Sequence, residues 1–251
     1  MFVTNRVLAL IPARGGSRGI PRKNLMVLAG KPVIAYSIEQ AHASQRINRV
    51  IVSTDDEEIA DVARRGGAEV PFMRPAAYAQ DLSPDIDVFR HALQWLHEHE
   101  GYHPDVIVHL RPTGPVRRVE VIDGAVDLLW AHPEADAIRS VSVAQQTPYK
   151  MWRVTTDGWL EPVLRLDGTS DCQSWPRQRL PLVYAQNGYV DVLRPRAVEK
   201  GSMWGDRAIP YVIDEPHLEL DYPENVAAVE AALLGVRAGE VVERVPFRHP
   251  V

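Results

Sequence analysis

The sequence has little of what marks several large classes of protein. Cys172 is the single cysteine among 251 residues, so an internal disulfide is excluded and a cysteine-rich zinc site is untenable. No apolar run approaches the roughly 18 residues of a transmembrane helix, and no signal peptide is predicted at the N-terminus. The composition therefore predicts a globular protein of a reducing, cytoplasmic compartment.

The chain also lacks a basic surplus and long blocks of like charge. Its formal net charge of -5 argues against binding to the phosphate backbone of nucleic acid. One segment is different, because residues 12–31 include no acidic residue. Its five basic residues are Arg14, Arg18, Arg22, Lys23 and Lys31. An acidic protein with one basic segment is expected to bind a small anion there.

Hydrophobic periodicity predicts strands alternating with helices through the first 140 residues. Val7–Ile11 is a continuous apolar run, typical of a strand covered on both faces. Asp55 and Glu58 resemble a capping box, and Ser83 followed by Pro84 resembles a helix cap and first turn. This alternation predicts an α/β fold with a doubly wound, mostly parallel sheet.

Four loops that follow strands are expected to meet in one cleft, because ligands of such sheets lie at the carboxyl ends of the strands. These loops are Pro12–Asn24, the Asp55 turn, the Arg74 loop and the Arg111 loop. After about residue 140 the pattern breaks. A hairpin signal at Thr156–Gly158 and an aperiodic stretch then indicate an excursion from the sheet within a single domain, 1–251.

The loop Pro12–Asn24 carries the first chemical signal. Gly15, Gly16 and Gly19 let the backbone approach a ligand and expose N–H groups to an anion. Arg14, Arg18 and Lys23 add charge suited to phosphate. The loop is neither a Walker A sequence nor a dinucleotide fingerprint. A nucleoside triphosphate is the predicted ligand, and a flexible basic surface loop is the alternative.

The second signal is the acidic pair Glu219 and Asp221. Strict alternation would place both carboxylates on one face of a strand end. Two carboxylates together with phosphate oxygens suit Mg²⁺. The alternative is that Asp221 only caps the helix that begins at Pro223.

Six ordered motifs extend these signals over nearly the whole chain. They are IPARGGSRGIPRKNL with LAGKPVIAYSIEQA, VSTDDEEIADVARRGGAEVPFMRPAAYAQD, LRPTGP, YKMWRV, RQRLPLVYAQNGYVDV and LELDYPEN. In this order they resemble the acylneuraminate cytidylyltransferases, also called CMP-sialic acid synthetases. The resemblance implies transfer of CMP from CTP to the anomeric hydroxyl of a 2-keto sugar acid, with release of pyrophosphate. It also implies Mg²⁺ and a homodimer whose insertion, here residues 142–192, reaches the partner's active site.

The resemblance also implies roles for individual residues. On the nucleotide side these residues are Ala13, Arg14, Gly15, Gly16, Ser17, Arg18, Lys23, Asn24, Arg74 and Ser83. The residues implied on the sugar-acid side are Arg111, Lys150, Arg177, Gln178, Tyr184 and Asn187. Arg14, Arg18, Lys23 and Asp221 would be catalytic, and Asp221 with Glu219 would bind the metal.

Several departures from the family pattern leave the substrates open. Arg111 stands where glutamine is frequent, Pro84 and Asp85 replace small hydroxyl residues, and Glu219 replaces an aspartate. GTP in place of CTP, and a ketodeoxyoctonate-like or non-sugar acid as acceptor, therefore remain alternatives. A catalytically idle nucleotide-binding protein, a dehydrogenase and an interaction module are other classes, and pyrophosphate release would separate them from a transferase.

Overall fold

The computed structural model describes residues 5–169, 171–214 and 218–237. The predicted alternation of strands and helices is present in the first half. Its elements are β1 (Val7–Pro12), β2 (Val27–Leu28), β3 (Lys31–Pro32), α1 (Val33–Ala43), β4 (Arg49–Ser53), α2 (Glu57–Arg65), α3 (Asp85–Glu100), β5 (Val106–His109) and α4 (Val119–Ala131). The second half contains β6 (Ala137–Val143), β7 (Trp152–Val154), β8 (Leu160–Pro162), β9 (Tyr184–Leu193), α5 (Pro195–Glu199), β10 (Ala208–Val212) and α6 (Val226–Arg237).

A six-stranded sheet of order β10-β6-β9-β5-β1-β4 forms the centre of the fold. Strand β1 pairs in parallel with β4 and β5, and β10 pairs in parallel with β6. Strand β9 alone runs antiparallel to both of its neighbours. The mostly parallel α/β sheet is therefore confirmed.

Helices cover both faces of the sheet, and β1 shows why its sequence is apolar throughout. Val7, Ala9 and Ile11 pack into one core cluster with residues of α1 and α4. Leu8 and Leu10, which point the other way, pack with Phe89 and other residues of α3. Since alternate side chains of a strand lie on opposite faces, burial of both faces of β1 accounts for its unbroken apolar run.

Three local predictions differ from the structure. The N-cap of α2 is Asp56 rather than Asp55, and its carboxylate accepts the Ile59 N–H. The N-cap of α3 is Pro84, with no side-chain cap, because the Ser83 hydroxyl bonds instead to Ala77 O and Gln80 N. The segment around Glu219 and Asp221 is not a strand, so strict alternation does not apply to that pair.

The excursion from the sheet covers residues 144–183. Its main element is the predicted hairpin, formed by β7 and β8. Both ends of the predicted insertion 142–192 belong to the main sheet. Ser142 and Val143 are the last two residues of β6, and residues 184–192 are part of β9. Among the described residues, no helix is long and apolar enough to cross a membrane.

Candidate active site

A cleft of about 510 Å³ lies at the carboxyl ends of β1 and β5. Five cationic and three anionic side chains line it. Predicted site residues among its lining are Arg14, Ser17, Arg18, Lys23, Asn24, Arg74, Ser83, Arg111 and Asp221. We call residues 12–24 with 78–83 the loop wall, and Arg111 with Asp191 and Arg139 the floor.

The Asp55 turn supports the loop wall from behind and does not line the cleft. The Gly15 N–H donates to Asp55 Oδ1 at 3.0 Å, so this amide is already bonded within the protein. Arg22 adopts a left-handed backbone conformation, with φ of 53°, and pairs with Asp56 and Glu58. These contacts fix the loop in place. The predicted anion nest has one amide fewer than its three glycines suggest.

The Asp56 carboxylate stays ionised in this arrangement. Burial raises its pKa, but Arg22 and the amides at the start of α2 outweigh burial, and the pKa is lowered from its usual value. One carboxylate thereby caps α2 and holds Arg22. The anchoring of the loop and the start of α2 depend on the same side chain.

Asp221 is held against the loop wall by the packing of its neighbour Leu220. Leu220 shares a buried cluster with Ile20 and with Val229 and Leu233 of α6. The Leu220 N–H also donates to Thr113 O at 2.7 Å. A Cβ atom at Gly19 would overlap the backbone carbonyl oxygen of Asp221, so glycine is required at that position.

Lys23 and Asp221 then meet across the cleft. Lys23 Nζ lies 2.9 Å from Asp221 Oδ1, although the two residues are 198 positions apart in the sequence. The lysine is mostly buried, while the aspartate keeps part of its surface in the cleft. The structure thus joins the two signals that the sequence analysis treated separately.

Arg14 and Arg18 share a partner that sequence reasoning missed. Arg14 Nη1 lies 3.4 Å from Asp81 Oδ1, and Arg18 Nη2 pairs with Asp81 Oδ2. Arg14 also donates to Gln80 O at 2.7 Å, and Asn24 Nδ2 donates to Arg14 O at 2.9 Å. Asp81 has no distinctive spacing in the sequence, so only its position two residues before Ser83 hinted at the site.

Arg74 lines the cleft and is buried. Its Nε donates to Ser53 Oγ at 3.2 Å, and its Nη2 donates to Ser53 O. Burial lowers the pKa of Arg74, and Asp55 and Asp85 partly oppose that shift. Two of its three nitrogens therefore hold the Arg74 loop to β4.

Arg111 is bound on the floor. Its Nη1 lies 2.8 Å from Asp191 Oδ2, and its Nη2 lies 3.4 Å from Asp85 Oδ2. Burial lowers the pKa of Arg111, but Asp191 and Asp85 outweigh burial and the pKa is raised. Arg117 lies behind it and donates to Arg111 O. Burial lowers the pKa of Arg117 to about 9.

Of the residues predicted on the sugar-acid side, Arg111 lines this cleft, and the others do not line it within the chain. Arg177 and Gln178 line a separate groove of about 280 Å³ beside Leu182, and Arg177 Nη2 donates to Ala144 O at 2.6 Å. Asn187 Nδ2 donates to Ser142 Oγ at 2.8 Å. Lys150 and Tyr184 also lie outside the cleft, on the exposed excursion and at the start of β9.

The acidic pair divides between two surroundings. Asp221 lines the cleft, whereas Glu219 Oε1 lies beside Gly188, 2.7 Å from where a Cβ atom would stand. Among the residues that the structure describes, no group of three His, Cys, Asp or Glu is placed to bind a metal. One carboxylate in a cleft lined by cations still fits Mg²⁺, which often takes one or two carboxylates with substrate phosphates and water.

The comparison with protein families agrees with this geometry. The family described as Cytidylyltransferase matches residues 8–172, a span that contains the whole loop wall and Arg111. This chain belongs to the cytidylyltransferase family. It is accordingly a nucleotidyltransferase.

The names of two relatives of this cytidylyltransferase specify nonulosonic acids as their substrates. The CMP-N,N'-diacetyllegionaminic acid synthase of Legionella pneumophila is 31% identical over 229 residues, covering 90% of this chain and 95% of the relative. The pseudaminic acid cytidylyltransferase of Campylobacter jejuni is 38% identical over 120 residues, covering 48% of this chain and 51% of the relative.

A solved structure extends the likeness of fold. The CMP:2-keto-3-deoxy-manno-octonic acid synthetase complexed with CTP has a TM-score of 0.67 and 17% identity. The match covers 92% of this cytidylyltransferase and 100% of that chain. At this identity the similarity establishes the shared architecture.

Proposed function

We propose that this cytidylyltransferase transfers CMP from CTP to the anomeric hydroxyl of a sialic-acid-like nonulosonic acid. The supporting observation is the cleft that Arg14, Arg18 and Lys23 line together with Asp221, whose Oδ1 lies 2.9 Å from Lys23 Nζ. The acceptor oxygen would form a bond to the α-phosphorus of CTP. The bond from that phosphorus to the bridging oxygen would break, and pyrophosphate would leave with the displaced electron pair.

The residues of the cleft divide the work of such a transfer. Arg14, Arg18 and Lys23 would hold the triphosphate and offset the charge that develops on the leaving pyrophosphate, as fixed cations do in phosphoryl transfer. Asp221 would accept the hydroxyl proton, directly or through water. Positioning of the two substrates supplies much of the rate in such reactions.

We propose Mg²⁺ as the cofactor, held by Asp221 with phosphate oxygens of the nucleotide. The carboxylate is in the cleft and has one oxygen, Oδ1, on Lys23. When bound, the ion would neutralise phosphate charge and lower the pKa of the attacking hydroxyl. Glu219 was expected as a second ligand, and its position beside Gly188 favours Asp221 as the principal one.

The decisive experiment is a matrix of nucleotides against acids with pyrophosphate release as readout. CTP, GTP, UTP and ATP are each combined with legionaminic, pseudaminic, N-acetylneuraminic and ketodeoxyoctonic acids and with a non-sugar 2-keto acid. We expect release with CTP and a nonulosonic acid, and its abolition by EDTA with recovery on adding Mg²⁺. Release with GTP and not with CTP would show that GTP is the nucleotide substrate. No release with any pair would contradict the transferase and indicate a protein that only binds a nucleotide.

We also propose a homodimer formed by the excursion 144–183. Its apolar side chains are unusually exposed, with Val154 at 70% and Trp159 at 75%. Monomeric soluble proteins seldom expose contiguous apolar patches of this kind. The dimer would bring Lys150 and Arg177 of one copy to the cleft of the other, which explains why they lie outside their own cleft.

Light scattering tests the dimer, and complementation tests the shared site. We expect Trp159→Glu to shift the protein to a monomer, with Trp204→Glu, exposed at 55% away from the excursion, as the matched control. Mixing Lys150→Ala with Asp221→Ala subunits should restore up to about a quarter of wild-type activity if the site is shared. No recovery in mixed dimers would refute sharing.

We propose a cytoplasmic location, which the single buried thiol of Cys172 supports, because reducing compartments favour free cysteines. Detection of the native protein in the cytosolic fraction of its host would agree with this. Recovery in a secreted or membrane fraction would contradict it.

A further inference from the structure

Asp191 lies in the middle of the sheet, directly beneath the cleft. In the register of β9 it stands opposite His109 of β5 and Arg139 of β6. Its side chain is only 2% exposed. A charged residue at a central strand position is costly unless it is paired, so the environment of this carboxylate carries information.

The carboxylate is bound at one oxygen. Asp191 Oδ2 accepts from Arg111 Nη1 at 2.8 Å and from Arg139 Nη2 at 3.4 Å, whereas Oδ1 has no hydrogen-bond partner among the described residues. His109 Nδ1 is 3.9 Å from Oδ2. Burial, with help from Arg111, Arg117 and Arg139, keeps the pKa of His109 well below its usual value, so the imidazole is neutral there.

Arg111 differs from Arg14, Arg18 and Lys23 in its principal partner. Asp81 and Asp221, which pair with Arg14, Arg18 and Lys23, line the cleft themselves. Asp191 lies behind Arg111, away from the cleft lining. An incoming anion can displace a carboxylate at the surface, but it cannot displace a buried one from behind.

We propose that Asp191 is a positioning residue that fixes Arg111 on the floor for the carboxylate of the acceptor acid. This inference rests on the proposed function. A guanidinium held by a buried carboxylate is already desolvated and confined to one rotamer, so binding costs it little further side-chain entropy. Its Nη2 faces Asp85, which lines the cleft, so a carboxylate that displaces Asp85 can accept hydrogen bonds from this side of the guanidinium. Acceptor affinity then depends on a residue that does not touch the acceptor.

The test separates binding of the acceptor from binding of the nucleotide. KM for each substrate, kcat and the melting temperature are measured for Asp191→Asn, for Arg111→Gln and for the double variant. We expect each single variant to raise the acceptor KM by about tenfold or more and to leave the KM for CTP within about threefold. The double variant should regain part of the melting temperature that Asp191→Asn loses, because Arg111 no longer faces a neutral partner and Arg139 alone has lost its counter-charge, while its acceptor KM stays high.

Two controls keep the result interpretable. Binding of CTP alone, measured by calorimetry, should match wild type in all three variants. If Asp191→Asn does not fold, Arg111→Gln approaches the same pair from the side of the cleft. Equal changes in both KM values, or a wild-type acceptor KM in the variants, would overturn the positioning role. Failure of the proposed function would appear differently, as absence of turnover in the wild-type protein.

Discussion

On the loop wall of the cleft, Arg14 and Arg18 pair with Asp81, whose side chain is 36% exposed. On the floor, Arg111 pairs with Asp191, whose side chain is 2% exposed. Both arrangements neutralise arginine, yet they have different consequences. Exposed pairs contribute little to stability and exchange readily, whereas a buried pair cannot lose one member without stranding the other. The loop wall is suited to exchange partners with a phosphate, and the floor is suited to keep its geometry.

The largest effect should come from removing the buried member of the floor. Asp191→Asn should lower the free energy of unfolding by about 3 kcal/mol or more, because Arg111 and Arg139 lose their shared counter-charge in the interior. Asp81→Asn is the matched change on the loop wall and should cost less than ~1 kcal/mol. Urea denaturation of both variants measures the contrast. Equal losses of unfolding free energy in the two variants would contradict the contrast between the loop wall and the floor.

The next largest effect concerns catalysis by Arg18 of the loop wall and by Asp221. Arg18→Ala and Asp221→Ala should each reduce kcat by at least ~10²-fold, since removal of one charge-stabilising contact costs roughly 3 kcal/mol in the barrier. Steady-state pyrophosphate release measures both. Glu224→Ala, an acidic change in the same segment as Asp221, should leave kcat unaltered. Turnover of either the Arg18→Ala or the Asp221→Ala variant within a few-fold of wild type would contradict the role assigned to that residue.

A smaller effect tests how tightly the loop wall fits Asp221. Gly19→Ala should lower stability by about 1–3 kcal/mol, as overpacking does, because its Cβ atom would meet the carbonyl oxygen of Asp221. Gly16→Ala has nothing within 4 Å of its Cβ position and should melt within a degree or two of wild type. Calorimetric melting compares them, and a stable Gly19→Ala protein would show that the segments separate easily.

The smallest effect should appear in nucleotide affinity. Asp81→Asn frees Arg14 and Arg18 from an internal competitor, so the KM for CTP should fall, by up to about fivefold for an exposed pair worth less than ~1 kcal/mol. Rising ionic strength should reduce the difference in KM for CTP between the Asp81→Asn variant and wild type, because salt screens exposed charges. A raised KM would mean that Asp81 orients the arginines and does not compete with the nucleotide.

Sequence reasoning was strongest where local pattern decides the outcome. The apolar run of β1 and the periodicity of α1 to α4 predicted the first half of the sheet. The glycine and arginine residues of the loop predicted the main wall of the cleft. These features depend on burial and backbone freedom, which neighbouring residues encode.

The missed elements depend on contacts between distant parts of the chain. Strand β9 was absorbed into the predicted insertion, because Gln186, Asn187 and Asp191 interrupt its apolar pattern. Asp191 is tolerated there through Arg111, 80 residues away, and Arg139, 52 residues away. Asp81 likewise owes its role to Arg14 and Arg18 across the cleft. The periodicity of apolar residues along the sequence does not indicate an ion pair between distant residues.

The antiparallel strand β9 has a consequence for how the chain is made. Its partners β5 and β6 both precede it, and the pairing of His109 with Asp191 closes a loop of some eighty residues. Contacts of such long sequence separation form slowly. A nascent chain that ends before residue 184 would hold both β5 and β6 with an open edge, which is a template for wrong pairing. Residues 8–172, which the family model matches, do not include β9, so the sheet is completed only after the excursion has been synthesised.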